Sequence, residues 1–389
     1  MQTVWRRLAP RLILTLLLTS MACGRQPTTA FAPPSNAMPT AVPTDASAAF
    51  VAGSVAATTA VPQPVPASIY TGDFASSIPG APATVSRPTG VSTLLNARSS
   101  VILPTVDPLE IDANITVGGS AILDPITRRL YRRFVREGYA GVMKIERVGT
   151  SEGFRLLCST GTADIVNAGR PVHADETALC SSISRIPIGF VIGQSALLLV
   201  IHPENEFLQS VSSLQVGAIL TATQWSDVDP SWPREPIVRF LPDADSDEFN
   251  ALVTLALNGQ EDVLVQSANT TRLLNDEEIL RAVEESPFAI GVVNYTRWQQ
   301  EQSYAVQPLP IKRVLPNEET IFYELYPLTY PLYLYTDPEI LRSKPQVAAF
   351  LNFYLTNVNE EIRATGYFPA QIQMLDAAKT QLLTVLAEQ

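Results

Sequence analysis

The chain has little of what metal binding and acid–base catalysis draw on. Its 389 residues include two histidines, His173 and His202, and three cysteines, Cys23, Cys158 and Cys180. Two histidines in unrelated contexts do not build a Cys/His metal cluster, and neither an HExxH motif nor a Walker-type phosphate loop is present. No cofactor is expected, and without a visible nucleophile and acid–base set the reading is a protein that is not an enzyme. Charge is also scarce. Only 17% of residues are charged, and the net charge is −11. That balance excludes nucleic acid as a partner, because a phosphate backbone needs a basic face. A small anion is not excluded, since backbone dipoles can build such a site locally.

A long apolar run is missing too. The N-terminal MQTVWRR supplies Arg6 and Arg7, with Arg11 following, and LILTLLLTSMA is too short to be a comfortable permanent span. Basic residues before a short apolar core are the pattern of an export signal over residues 1–23. Ala22 directly before Cys23 resembles the cleavage box of bacterial lipoproteins, in which the cysteine carries lipid. Ser20 stands where that pattern usually has Leu. Either lipidation at Cys23 or ordinary cleavage nearby places the chain in the cell envelope, as a membrane-anchored or released exported protein. In that oxidising compartment Cys158 and Cys180 remain as an even pair and are expected to form a disulfide, the alternative being two buried free thiols.

What is abundant is proline, 31 residues, much of it near the N-terminus. Residues 24–108 are dominated by Pro, Ala, Thr and Ser, as in QPTTAFAPPSNAMPTAVPT, with almost no charge and no sustained period. This composition predicts a disordered, partly polyproline-II tether. The folded part is expected to begin near Ile111. IDANITVGGS reads as a strand, and DPITRRLYRRFVREG as a helix with Leu130, Phe134 and Val135 on one face and five arginines on the other. Strand-like and helix-like segments then alternate to the end, and IPIGFVIGQSALLLVIHPEN holds two apolar strand-like runs. Such alternation predicts an α/β fold with mostly parallel sheets.

Three strand-to-helix turns carry the candidate chemistry: GGSAILDP (118–125), GTSEGF (149–154) and PDADSDEF (242–249). Each puts a hydroxyl near a helix start, at Ser120, Thr150 with Ser151, and Ser246. One reading is plain N-capping. The other is convergence of several helix N-termini on one anion.

The order of these motifs resembles the periplasmic phosphate-binding proteins of ABC importers, a type II solute-binding family. ITVGGSAILDPIT, GTSEGFRLLCSTGTADIVNAGRP, PDADSDEF, FAIGVVNY and YPLTYPLYLY follow that family's sequence of loops and strands from about residue 115 to 370. The resemblance implies a two-lobed periplasmic-binding-protein fold with a hinge and an inter-lobe cleft. Residues 109–198 and 318–389 would form one lobe and 199–317 the other. It also implies phosphate or a related oxyanion as ligand and permease and ATPase subunits as partners. The chain is expected to be a monomer, held at the membrane by lipid on Cys23.

Taken residue by residue, the family's ligand-binding positions fall on Gly119, Ser120, Thr150, Ser151, Arg170, Ser246 and Asp247. Four loops depart from the pattern. Ala121 and Ile122 replace hydroxyl residues, Val148, Ser151 and Glu152 replace small or hydroxyl residues, Gly169 stands in place of Ser, and Asp247-Glu248 replaces Gly-Thr. An ionised carboxylate only accepts hydrogen bonds and repels an anion, by about 4 kcal/mol at about 4 Å and an effective dielectric near 20. The alternative reading is therefore the same fold with altered or lost ligand binding, acting as an envelope sensor or interaction protein.

Overall fold

The computed structural model describes residues 99–301 and 303–388. Cys23, the leader and most of the proline-rich stretch lie outside them. Packed structure starts earlier than Ile111: Leu103 and Pro108 are buried, and the Ser99 and Ser100 hydroxyls donate to the Asp376 carboxylate at 2.5 and 2.6 Å.

The first half alternates as its pattern predicts. Strand β1 (Ile115–Gly119) leads to helix α1 (Asp124–Arg136), β2 (Met143–Arg147) to α2 (Thr150–Arg155), and β3 (Ile165–Ala168) to α3 (Ala174–Ser181). Helix α1 has Pro125 and Asp124 in its first turn and Arg133 and Arg136 in its last, which suits both helix start and macrodipole. Its buried face is Ile126, Leu130 and Phe134, at four-residue spacing. Val135 was expected on that face but is exposed, because it lies a further 100° round the helix. Phe134 packs on Phe350 and Phe353 with ring centroids 5.5 and 4.9 Å apart. Each such fully buried aromatic contributes on the order of 2–3 kcal/mol by area.

The apolar stretch around residue 195 forms a single strand, β4 (Ile188–Ile201), rather than two. Helix α4 (Ser213–Thr221) follows, then β5 (Val238–Pro242), α5 (Asp247–Leu257), β6 (Thr270–Leu273), α6 (Asp276–Glu284), β7 (Ala289–Asn294), α7 (Tyr295–Gln300) and β8 (Gln307–Pro308). Strand β9 (Thr329–Thr336), helix α8 (Pro345–Glu361), β10 (Phe368–Pro369) and α9 (Ile372–Ala387) complete the chain. Arg129 and Arg133 of α1 pair with Glu361 of α8, which carries the C-terminal part back onto the first half.

The sheet order is β2-β1-β3-β9-β4-β7-β5-β6. β1 is parallel to β2 and β3, and β5 is parallel to β6 and β7, but β9 and β4 run antiparallel to their neighbours. The sheet is thus mixed rather than mostly parallel. The reason is β4, which pairs with β9 over Ile188–Ala196 and with β7 over Leu197–Ile201. One long buried strand serves both halves, so two parallel α/β units are joined through antiparallel strands. The result is a two-lobed α/β fold with a cleft between units.

Cys158, in the π-helical segment Leu156–Thr160 that follows α2, and Cys180, in α3, are joined in a disulfide. It closes a loop of 22 residues, and a bridge of that span contributes about 3 kcal/mol in the chain-entropy account. Mass measurement after alkylation without reductant should find neither thiol modified, and both modified after reduction.

Candidate functional site

Strands β1, β2 and β3 end side by side, and their turns meet at one edge of the cleft. Gly119 makes this close meeting feasible. It holds a positive φ of 127°, and a Cβ there would fall 2.1 Å from the Asn167 carbonyl oxygen of β3. The turn then places the Ser120 N–H on that carbonyl at 2.8 Å. Ser120 is not a helix cap: α1 begins four residues later, behind Leu123, and the Ser120 hydroxyl accepts from the Ile122 N–H at 3.1 Å. Thr150 opens α2, and its hydroxyl accepts from the Gly169 N–H at 3.2 Å. In both cases the oxygen accepts from backbone, so the hydroxyl proton remains to be donated.

Ser151 and Arg170 are brought together. Arg170 Nη2 donates to the Ser151 Oγ at 2.9 Å and to Glu176 Oε1 at 2.7 Å, while Nη1 reaches Glu176 Oε2 at 2.9 Å. Glu176 is the residue the sequence reading missed. Its signal was local, an acid at N3 of α3, where its carboxylate also accepts from the His173 N–H at 2.8 Å. The turn GTSEG (149–153) also has the G-x-S-x-G spacing of a hydrolase nucleophile elbow. Here the hydroxyl of Ser151 is engaged by Arg170 rather than by a histidine base.

The fourth turn divides. Ser246 is a plain N-cap of α5: its hydroxyl accepts from the Phe249 N–H at 3.1 Å and donates to the Asp243 carbonyl at 2.6 Å. Asp247 does not turn away from the cleft. Its buried carboxylate lies across the cleft, facing the Ser120 and Thr150 hydroxyls and in the field of Arg170. A Cβ on Gly169 would lie only 2.7 Å from the Cβ, Cγ and Oδ2 of Asp247. Glycine at 169 and aspartate at 247 therefore fit each other, one yielding the volume the other takes. Burial raises the Asp247 pKa, and the two hydroxyls and Arg170 partly oppose that.

Beside Asp247 opens a cavity of about 800 Å³, lined by residues that include Ser120, Gly149, Glu248, Asp276, Arg297 and Tyr367. The Glu248 carboxyl is pushed up to about 8, first by burial and then by Asp276 and Asp247. Asp276 is pushed up to about 6 by burial, against a hydrogen bond from the Asn294 N–H at 3.3 Å and the charge of Arg297. At neutral pH Glu248 is thus mostly a neutral carboxylic acid able to donate a hydrogen bond, and the repulsion expected of it as a carboxylate largely disappears. Arg128 and Arg129 at the rim are paired, with Asp124 and Glu361. Among the described residues there is no cluster of His, Cys, Asp and Glu that could hold a metal ion.

Two α/β halves around a cleft that gathers hydroxyls and an arginine at strand ends define a two-lobed binding protein. A profile described as a PBP superfamily domain matches residues 84–358, and the chain belongs to that superfamily. It is similar to the protein SphX of Synechocystis sp., 28% identical over 274 residues that cover 67% of this chain and 80% of that one. It is also similar to the phosphate-binding protein PstS of Staphylococcus saprophyticus, at 24% identity over 64% of this chain and 78% of the relative. Among solved structures, a possible phosphate-binding protein from Planctomyces limnophilus superposes with a TM-score of 0.54 at 25% identity, over 71% of this chain and 99% of that one. An ABC-type phosphate transport receptor from Vibrio cholerae gives the same TM-score, 0.54, at 18% identity, over 66% of this chain and 99% of the receptor, and shares the fold.

Proposed function

We propose that the chain is an extracytoplasmic receptor that binds phosphate or a related oxyanion in the cleft and delivers it to the permease and ATPase of an ABC importer. The observation that carries this reading is the meeting of Ser120, Thr150 and Arg170, with Ser151 held on Arg170, around the buried carboxyl group of Asp247. A site that gathers hydroxyl protons and a cation around a carboxyl group has the chemistry to hold an oxyanion. The names of the relatives, phosphate-binding proteins and a phosphate transport receptor, agree with it. In this reading Gly119 and Ser120 present backbone and hydroxyl, Thr150 and Ser151 donate, Arg170 supplies positive charge, and Ser246 and Asp247 come from the opposite wall. The lobes are residues 99–198 with 318–389, and 199–317. Export through residues 1–23, lipid on Cys23 and a proline-rich tether from residue 24 up to Ser99 hold the receptor, as a monomer, at the membrane.

Calorimetry with phosphate on the chain from residue 24 onward tests the reading. Binding heat is expected, with thermal stabilisation that grows with ligand, about 2.7 kcal/mol at a hundredfold excess over Kd. No heat and no thermal shift at millimolar phosphate would overturn it.

A further inference from the structure

We propose that Asp247 is a tethered occupant of the oxyanion subsite: its carboxylate latches the two halves of the molecule together in the absence of ligand, and a free oxyanion has to displace it to bind. The second clause rests on the function proposed above; the first does not.

Three observations lead here. The first is where Asp247 comes from. It stands in the first turn of α5, behind β5, in the half of the sheet with β6 and β7, whereas its contacts belong to the turns after β1, β2 and β3. The contact therefore crosses the cleft. The second is fit. The carboxylate lies against the Cα of Gly169, closely enough that any side chain at 169 would collide with it at 2.7 Å. The third is chemistry. The Ser120 and Thr150 hydroxyls have accepted backbone N–H bonds and hold protons for an anion, and Arg170 lies beside them. Arg170 is already neutralised by its two bonds to Glu176, so with Asp247 in place the subsite carries no surplus positive charge for a second anion. A phosphate could bind there only after the carboxylate left, so Asp247 acts as a competitor in the same chain and sets the affinity.

The test uses the chain from residue 24 with spin labels at Lys144→Cys, on β2, and Val263→Cys, in the short helix Glu261–Val265; both positions are exposed. Distances between labels are measured with and without inorganic phosphate, and binding is followed by calorimetry. Without phosphate, the chain carrying Asp247 is expected to show one short distance, and Asp247→Gly a longer, broader one that shortens when phosphate is added. Asp247→Gly is also expected to bind phosphate at least tenfold more tightly. Asp247→Asn, which keeps the size and loses the charge, should fall between. Gly169→Ser alone should lengthen the phosphate-free distance, and adding Asp247→Gly should remove its effect. An unchanged phosphate-free distance in Asp247→Gly overturns the latch, and equal affinities overturn the competition. Opening of Asp247→Gly with no phosphate binding by either protein would uphold the latch and sink the phosphate reading instead.

Discussion

Replacing Arg170 with methionine is expected to lower the unfolding free energy by about 3–5 kcal/mol and to abolish oxyanion binding. The side chains of Arg170 and Glu176 are 5% and 9% exposed, so neither charge has water to fall back on. Removing the guanidinium leaves Glu176 with the His173 N–H at 2.8 Å as its recorded hydrogen bond, and leaves Ser151 without its donor. The Asp247 carboxyl loses the positive charge of Arg170 at the same time. Converting both partners, Arg170→Met with Glu176→Leu, should recover much of the stability, because an apolar pair does not strand a buried charge. It should not recover binding. Urea denaturation with unchanged m-values, read beside phosphate calorimetry, separates the two losses. If the double variant is no more stable than Arg170→Met, the buried charge of Glu176 is not what the arginine compensates.

The second large effect is a pH dependence. The protein should lose stability as pH rises from about 5 to 9, and Glu248→Gln should remove the upper part of that loss. The folded structure holds the Glu248 carboxyl at about 8 and Asp276 at about 6, both above their ordinary values of 4.5 and 3.8. A raised carboxyl binds its proton more tightly when folded. Its contribution is complete below its ordinary pKa and disappears as pH rises through its folded one. Asp276 therefore loses its share between its ordinary value of 3.8 and about 6, and Glu248 between 4.5 and about 8. Glu248 alone would account for ~2–4 kcal/mol, from about 1.4 kcal/mol per unit with a reduction because one face meets the cavity. The two carboxyls and Asp247 interact, so the measured midpoints belong to the group. Stability of Glu248→Gln measured from pH 5 to 9 should be flat between 7 and 9, and higher than that of the parent at pH 9. A slope identical to the parent's would show that Glu248 is ionised throughout.

These two effects mark the boundary between what a linear reading could see and what it could not. The strand–turn–helix alternation, the hydroxyls of Ser120, Thr150 and Ser151 in turns, the cap at Ser246 and the pairing of Cys158 with Cys180 were all legible. Turn chemistry and helix starts are governed by residues a few positions apart, and the disulfide follows from parity and compartment. Glu176 could have been found the same way, six residues after its arginine. The resemblance in motif order supplied the two-lobed class, but not the path of β4, whose single run through both halves depends on pairing with β9 and β7, more than 80 residues downstream along the chain.

By itself, then, the sequence determined the class of fold, the turns that face the cleft and the residue types in them, because those depend on short-range hydrogen bonding and periodicity. Only the tertiary structure decided what the acids in PDADSDEF do. Asp247 meets Ser120, Thr150 and Gly169 across a cleft that no local pattern encodes. Glu248 becomes a largely neutral acid because burial removes water from it and Asp276 is brought near. Charge state is set by the surrounding dielectric and by neighbours in space, and both exist only once the chain has folded.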